Sequence, residues 1–267
     1  MTDDTDAARA LARRAIGLTD LTNLDETCTE TAIDALCVQA KGGGATPPVA
    51  AVCVWPQFVS RAKGALRGSG VSVATVVNFP TGGEDVERVV EQTREALRDG
   101  ADEIDLVLPW RAFLDGDVET ARGMLAAVRE RVSADRVLKV ILETGELKDP
   151  DAVRRASALA IEEGADFVKT STGKTPVSAT PEAARIMLET IAATPHLKVG
   201  LKPSGGIRTL EQAKTYLDLA DEIMGPGWAT PATFRFGASG LHKALVGLLE
   251  GGGEAPAPGS SSPGGSY

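Results

Sequence analysis

Eight short apolar runs alternate with amphipathic helical stretches along this chain, and that alternation is what most restricts its fold. The runs are Leu18–Thr22, Ala50–Trp55, Val71–Val77, Glu103–Leu108, Val137–Leu142, a sixth opening at Asp166 and reaching Lys169, Leu197–Leu201 and Phe234–Ala238. Runs such as Val71–Val77 are rich in β-branched residues, as expected of strands buried on both faces of a parallel sheet. Between them, Val86, Val89, Val90 and Leu97, and then Val118, Ala121, Leu125, Val128 and Val132, recur at the helical period. Asp149-Pro150 and Thr180-Pro181 pair an N-cap with a first-turn proline, and Thr209 with Gln212 forms a capping-box pattern. Gly100-Ala101-Asp102 and Gly164-Ala165-Asp166 each join a helix end to a strand, 64 residues apart, which fits two βα units.

Strands alternating with helices give an α/β fold with a parallel sheet. Eight units fit a closed barrel of about 250 residues, and the chain has 267. The expected architecture is therefore a (β/α)8 TIM barrel over residues 1–250, with an extra N-terminal helix over residues 4–16. A flexible Gly/Pro/Ser-rich tail is expected over residues 251–267. No Gly-x-Gly-x-x-Gly turn follows the first strand, which argues against a dinucleotide-binding sheet.

Composition narrows the function. Lys and Arg number 28 against 37 Asp and Glu, a net charge of −9, so no nucleic-acid partner is expected. An anionic substrate would need a locally positive pocket. No apolar stretch approaches the roughly 18 residues of a membrane helix, and the acidic start Met1-Thr2-Asp3-Asp4 is unlike a signal peptide. The cysteines, Cys28, Cys37 and Cys53, are odd in number and lack metal-type spacing, which fits a reduced, cytoplasmic protein. With only His196 and His242, a His-rich metal site is excluded, while a carboxylate site stays open.

The chemistry is concentrated where strands end. In a barrel the site lies at the C-terminal ends of the strands, here Asp20, Asn78, Asp105, Glu143, Lys169 and Lys202. Lys169 sits in a strand pattern with Phe167 and Ser171 on its face, pointing into whatever the strand encloses. Burial disfavours an ammonium, and a neutral amine attacks aldehydes and ketones. If Lys202 on the next strand also faces inward, repulsion depresses one of the two amines further. The alternatives are an edge-strand lysine reaching water, or two lysines paired with carboxylates such as Asp105 or Glu143. Asp105 sits in an apolar run and needs a partner, catalytic or structural. Three small-residue loops follow the last three strands: Thr172-Gly173-Lys174, Ser204-Gly205-Gly206 and Ala238-Ser239-Gly240. The last opens a helix, and such loops in a barrel suit a phosphate.

These segments together resemble deoxyribose-phosphate aldolases, a class I, Schiff-base-forming aldolase family with a (β/α)8 barrel. The resemblance is carried by Asp20-Leu21-Thr22, Asn78-Phe79-Pro80, Gly100-Ala101-Asp102-Glu103-Ile104-Asp105 and Glu143-Thr144-Gly145-Glu146-Leu147-Lys148. It continues in Phe167-Val168-Lys169-Thr170-Ser171-Thr172-Gly173-Lys174, in Gly200-Leu201-Lys202-Pro203-Ser204-Gly205-Gly206-Ile207-Arg208-Thr209, and in Arg235-Phe236-Gly237-Ala238-Ser239. The resemblance implies a lyase that converts 2-deoxy-D-ribose 5-phosphate reversibly to D-glyceraldehyde 3-phosphate and acetaldehyde, in deoxyribose phosphate catabolism and without a cofactor. It implies Lys169 as the Schiff-base lysine, Lys202 as the group lowering its pKa, and Asp105 as a proton relay, with the carbon–carbon break placed at C3–C4. Gly173, Lys174, Gly205, Gly206, Ser239, Gly240 and Thr172 would hold the substrate and its phosphate, with Asp20 and Thr22 beside them. Gly240 stands where the family often has a second serine, so one hydroxyl contact is replaced by a backbone N–H. Tyr267 matches the family's terminal tyrosine, and Cys53 is a further candidate, as a target for an unsaturated aldehyde product. A homodimer is the expected assembly. The competing readings are a metal-dependent barrel aldolase or epimerase, which chelators would inactivate, and a sugar-phosphate-binding protein that forms no covalent adduct.

Overall fold

The computed structural model describes residues 2–251; residues 252–267, with most of the expected tail and Tyr267, lie outside the described residues. Eight strands, β1 (Thr19–Asn23), β2 (Ala51–Val54), β3 (Ser72–Val77), β4 (Glu103–Val107), β5 (Val137–Ile141), β6 (Phe167–Lys169), β7 (Gly200–Lys202) and β8 (Phe236–Ala238), form one sheet. Every paired neighbour is parallel, in the order β7-β6-β5-β4-β3-β2-β1-β8. The two ends meet: Leu201 bridges Phe234 and Ser204 bridges Gly237. Across that seam Arg235 N–H donates to Leu201 O at 3.0 Å and Gly237 N–H to Pro203 O at 3.0 Å. The sheet is thus a (β/α)8 TIM barrel, with the helix Thr2–Gly17 ahead of β1, as the alternation of runs predicts.

The helices start where side chains can accept their free N–H groups. Thr29, Asp85, Asp117, Asp149, Thr180 and Thr209 each cap one, and Thr209 and Gln212 complete a capping box. The apolar face of each helix then covers the outside of the barrel. Val89 and Ala96, and Ala121, Met124, Leu125 and Val128, are buried in this layer. The N-terminal helix buries Ala12, Ala15 and Ile16 and packs on the last helix, Gly240–Leu249.

Two strands differ from their expected bounds by more than one residue. The seventh begins at Gly200 and not Leu197, because Leu197 N–H closes a turn onto Thr194 O at 3.0 Å after the helix Pro181–Ala192. The eighth is regular only from Phe236; Phe234 makes a single bridge. The stretch after β2 opens as a 3-10 turn, Pro56–Phe58, before the helix Val59–Ala65. Short helices at Trp110–Leu114 and Thr144–Leu147 are too brief for periodicity to reveal.

The register decides what fills the barrel. Asp105 lies opposite Val76 and Lys139, and Lys169 opposite Ile141 and Lys202. On the β2–β3 side the filling is apolar, with Leu24, Cys53, Ala74 and Val76 in contact; on the β4–β8 side it is charged. Gly200 makes room for the Phe167 ring: a Cβ there would sit 2.4 Å from a ring carbon and 2.6 Å from Thr233 O. Gly200→Ala should therefore lower stability by about 1–3 kcal/mol through overpacking, read as a lower denaturant midpoint with an unchanged slope. An equal midpoint would contradict this tight contact.

Candidate active site

Glu103 and Asp105 are two residues apart on β4, so both side chains enter the barrel. Asp20 of β1, Lys139 of β5, Lys169 of β6, Lys202 of β7 and Arg235 just before β8 meet them, and all seven are buried. Asp105 is the hub. Its Oδ1 lies 2.9 Å from Lys139 Nζ, and its Oδ2 lies 2.9 Å from Lys169 Nζ and 2.7 Å from Lys202 Nζ. Asp20 Oδ2 is 2.5 Å from Lys202 Nζ and 3.4 Å from Lys139 Nζ, while its Oδ1 accepts from Arg235 at 2.6 Å. Glu103 closes the lower side, 2.5 Å from Lys139 Nζ and 3.0 Å from the Arg235 guanidinium. Gly237 leaves space for this packing, since a Cβ there would lie 2.6 Å from Ser204 Cβ and 3.3 Å from Lys202 Cε.

The amines are not equivalent. Burial depresses the Lys169 pKa; Asp105 opposes this, but the charge on Lys202 adds to it, and the net shift is downward. Burial would do the same to Lys202, yet Asp105 and Asp20 outweigh it and hold that pKa above its ordinary value. Lys139, with three carboxylates around it, is likewise raised against its burial. Asp105 is buried too, but three amines hold its carboxyl well below the usual range. The group best able to exist as a free amine is therefore Lys169, which is 2% exposed.

Above this layer lie the loops. Glu143, two residues past β5, has a left-handed conformation (φ 59°) and is fully buried. Its carboxylate accepts from the Thr172 N–H at 3.2 Å, the Thr172 hydroxyl, and the Thr175 hydroxyl at 3.2 Å. Burial pushes its pKa up in spite of these bonds. Thr172 Oγ1 in turn accepts from Lys174 N–H at 3.1 Å, and Lys174 Nζ reaches Leu24 O at 3.1 Å. The β6 and β7 loops touch: a Cβ on Gly205 would come within 3.3 Å of Gly173 Cα and 2.6 Å of Ser178 Oγ. Gly173, Gly205 and Gly206 all have positive φ, which side chains resist. Ser204 donates its hydroxyl to Ser171 O at 2.5 Å, locking the two loops together. Ser239 precedes the helix Gly240–Leu249 without capping it through its side chain.

The structure brings Lys169, Lys202, Asp105 and Asp20 into one cluster. Thr22 lies two residues further along β1, its hydroxyl donating to Asp20 O at 2.9 Å. Thr172, Gly173, Lys174, Gly205, Gly206 and Ser239 lie in the loops beyond the C-terminal ends of β6, β7 and β8, and Gly240 opens the helix that follows β8. Cys53 lines the barrel beside the amines, but burial and the charge of Asp105 push its thiol up to about 11, so it is a neutral thiol at neutral pH. Both lysines pair with Asp105, as one alternative allows, whereas Glu143 is engaged by threonines. Asn78 serves the backbone, donating to Gly83 O at 2.8 Å and Val107 O at 2.9 Å. Lys139, Glu103 and Arg235 join the cluster although they are not among the residues expected at the site. Their signal in the sequence is that each is a charge inside a strand-like apolar run, on the face shared by Asp105, Lys169 or Lys202.

A sequence model of DeoC/LacD family aldolases matches residues 8–241. The chain belongs to the DeoC/LacD aldolase family. A deoxyribose-phosphate aldolase of Agrobacterium fabrum is 52% identical over 253 residues, covering 94% of this chain and 96% of that protein. A crystal structure from Toxoplasma gondii, provisionally assigned as a deoxyribose-phosphate aldolase, superposes with a TM-score of 0.83 at 25% identity, covering 92% of this chain and 96% of that one. A similarly assigned structure from Coccidioides immitis gives 0.75 at 29% identity, covering 92% and 97%. The resemblance read from the motifs is thereby shown at the level of the family, and membership in this aldolase family makes the chain a lyase.

Asp105→Asn leaves buried amines without their shared partner and should cost about 3 kcal/mol or more in unfolding free energy. The folded-state pKa of Asp105 is depressed below 3.8, so its contribution is complete above about pH 4 and is lost as pH falls further. Stability measured across pH 2–6 should then fall less steeply in the Asn variant than in the wild type. Parallel curves would contradict the assignment of Asp105 as the ionised hub.

Proposed function

We propose that this chain is a class I aldolase that cleaves 2-deoxy-D-ribose 5-phosphate reversibly to D-glyceraldehyde 3-phosphate and acetaldehyde. The observation that carries this reading is the buried Lys169 amine, depressed in pKa and 2.9 Å from Asp105, below three glycine-bearing loops that suit a phosphate. The 52% identity to a deoxyribose-phosphate aldolase supports the choice of substrate.

The neutral amine of Lys169 attacks C1 of the open-chain aldehyde, and its nitrogen takes the place of the carbonyl oxygen, which leaves as water. The product is a protonated imine, an electron sink. Acetaldehyde carries two carbons and glyceraldehyde 3-phosphate three, so the bond that breaks is C2–C3, not C3–C4. The electron pair of that bond moves into the imine and gives an enamine, while the C3 hydroxyl loses its proton and becomes the aldehyde. Protonation at C2 and addition of water then release acetaldehyde and restore Lys169. Asp105 and Lys202, 2.7 Å apart, supply a short path for these protons. No step as written calls on a metal, because the iminium acts as the Lewis acid.

Gly173, Gly206, Ser239 and Gly240 offer backbone N–H groups and one hydroxyl to the phosphate, at the start of a ten-residue helix, and Gly205, whose N–H donates to Gly237 O at 3.4 Å, lets the loop turn close beside them. Lys174 adds a cation at the mouth. Asp20 and Thr22 shape the floor beside the reacting carbons. Cys53 is a candidate target for an unsaturated aldehyde product, and Tyr267 is a candidate for proton transfer from the tail. Among the described residues no helix is long and apolar enough to cross a membrane; a cytoplasmic location and a homodimer complete the proposal.

Incubation with acetaldehyde or deoxyribose 5-phosphate, followed by borohydride reduction and peptide mass analysis, tests it. An adduct is expected on Lys169, with none in Lys169→Ala and a drop in kcat/KM of about 10⁴-fold or more, as for other covalent nucleophiles. Turnover by a folded Lys169→Ala protein, or loss of wild-type turnover to a chelator, would overturn the Schiff-base reading.

A further inference from the structure

Beneath the reacting amine lies a second charged layer that touches neither Lys169 nor the loops. Lys139 and Arg235 are bridged there by Glu103, at 2.5 Å and 3.0 Å, and both are tied back to Asp20. These groups are fully or almost fully buried and far from the phosphate loops in register, so direct contact with substrate does not explain them. Surface solubility does not explain them either, and buried ions are costly unless they serve a purpose or pair completely.

Counting the charges suggests the purpose. The buried cluster holds three carboxylates, Asp20, Glu103 and Asp105, and four basic groups, Lys139, Lys169, Lys202 and Arg235. Three carboxylates can neutralise three cations, and the fourth proton is in excess. Lys139 lies within 3.4 Å of all three carboxylates, Lys202 meets Asp105 and Asp20, and Arg235 meets Asp20 and Glu103. Lys169 meets Asp105 alone, on the oxygen it shares with Lys202. The amine with the fewest anionic contacts is the one that gives up the surplus proton. The other groups facing Lys169 are Glu143 above it and the neutral thiol of Cys53.

Resting on the Schiff-base reading, we propose that Lys139 and Glu103 are positioning residues for the reaction: the charge balance of this lower layer determines that Lys169, and no other amine of the cluster, is neutral at rest. Lys139 acts through Asp105, whose two oxygens it and Lys169 each approach to 2.9 Å. Glu103 acts through Lys139 and Arg235.

The sign of the response distinguishes this from a packing role. Lys139→Met removes a cation, leaves three carboxylates for three cations, and lets Lys169 keep its proton. Glu103→Gln removes an anion and makes the surplus larger. The experiment is the rate of borohydride-trapped acetaldehyde adduct at Lys169 as a function of pH. The midpoint should move up by about one pH unit in K139M and down by about one in E103Q, the scale expected for a charge change a few ångströms away. The double variant should return close to the wild-type midpoint. E103Q is nearly isosteric, so it and the double variant carry the test if K139M does not fold. Midpoints that stay put, or that move in the same direction in both single variants, would overturn the proposal while leaving the adduct and the Schiff base intact. No adduct in the wild type at any pH would remove the Schiff base itself and this proposal with it.

Discussion

One carboxylate, Asp105, is shared by three buried amines, and the site depends on how that sharing is arranged. Its two oxygens meet Lys139, Lys169 and Lys202 at 2.9, 2.9 and 2.7 Å. An isolated charge at this depth would be expelled or neutralised, so the contacts have to be complete and the barrel has to hold them. Strand pairing does so directly. Asp105, Lys139, Lys169 and Lys202 come from four consecutive strands whose register is set by backbone hydrogen bonds, not by the side chains themselves. A slip of one residue in any of these strands would turn a charge outward into the helical layer.

The same frame divides the interior into two halves with different uses. The β2–β3 side is apolar, with Leu24, Cys53, Ala74 and Val76, and makes no demand on the charges opposite. The β6 and β7 ends turn into loops whose glycines allow close backbone approach, as at Gly205 against Gly173, while Gly237 within β8 makes room for the Ser204 and Lys202 side chains. A substrate with an aldehyde at one end and a phosphate at the other fits this division: amine below, N–H groups and Lys174 at the rim. Glu143 joins the two, because its carboxyl, its pKa raised by burial, holds Thr172 at the start of the rim loop and stands over Lys169.

Much of this was legible in the sequence. Apolar runs separated by capped helices identify the barrel, and helix starts such as Asp149-Pro150, Thr180-Pro181 and Thr209/Gln212 are local enough to be read without the fold. Lys169, Lys202 and Asp105 stand out because a charge within a strand pattern needs an explanation. Lys139 and Arg235 satisfy the same criterion, but Lys139 sits mid-strand, level with Asp105, and Arg235 just ahead of β8, so a search confined to strand ends passes over them. The start of β7 is hidden because Leu197 and Val199 look like strand residues, whereas the turn at Thr194 uses the first of them. Which amine is neutral could not be read from residue types at all; it follows from how many carboxylates each one meets.

The claim that Lys169 alone is a free amine in this cluster can be observed without substrate. Proteins labelled with ¹⁵N at the lysine ε-position distinguish a neutral amine from an ammonium by chemical shift. One buried neutral amine is expected near neutral pH, absent from the spectrum of Lys169→Met, with Lys139 and Lys202 as ammonium ions. All three appearing as ammonium, or Lys202 as the neutral one, would contradict it.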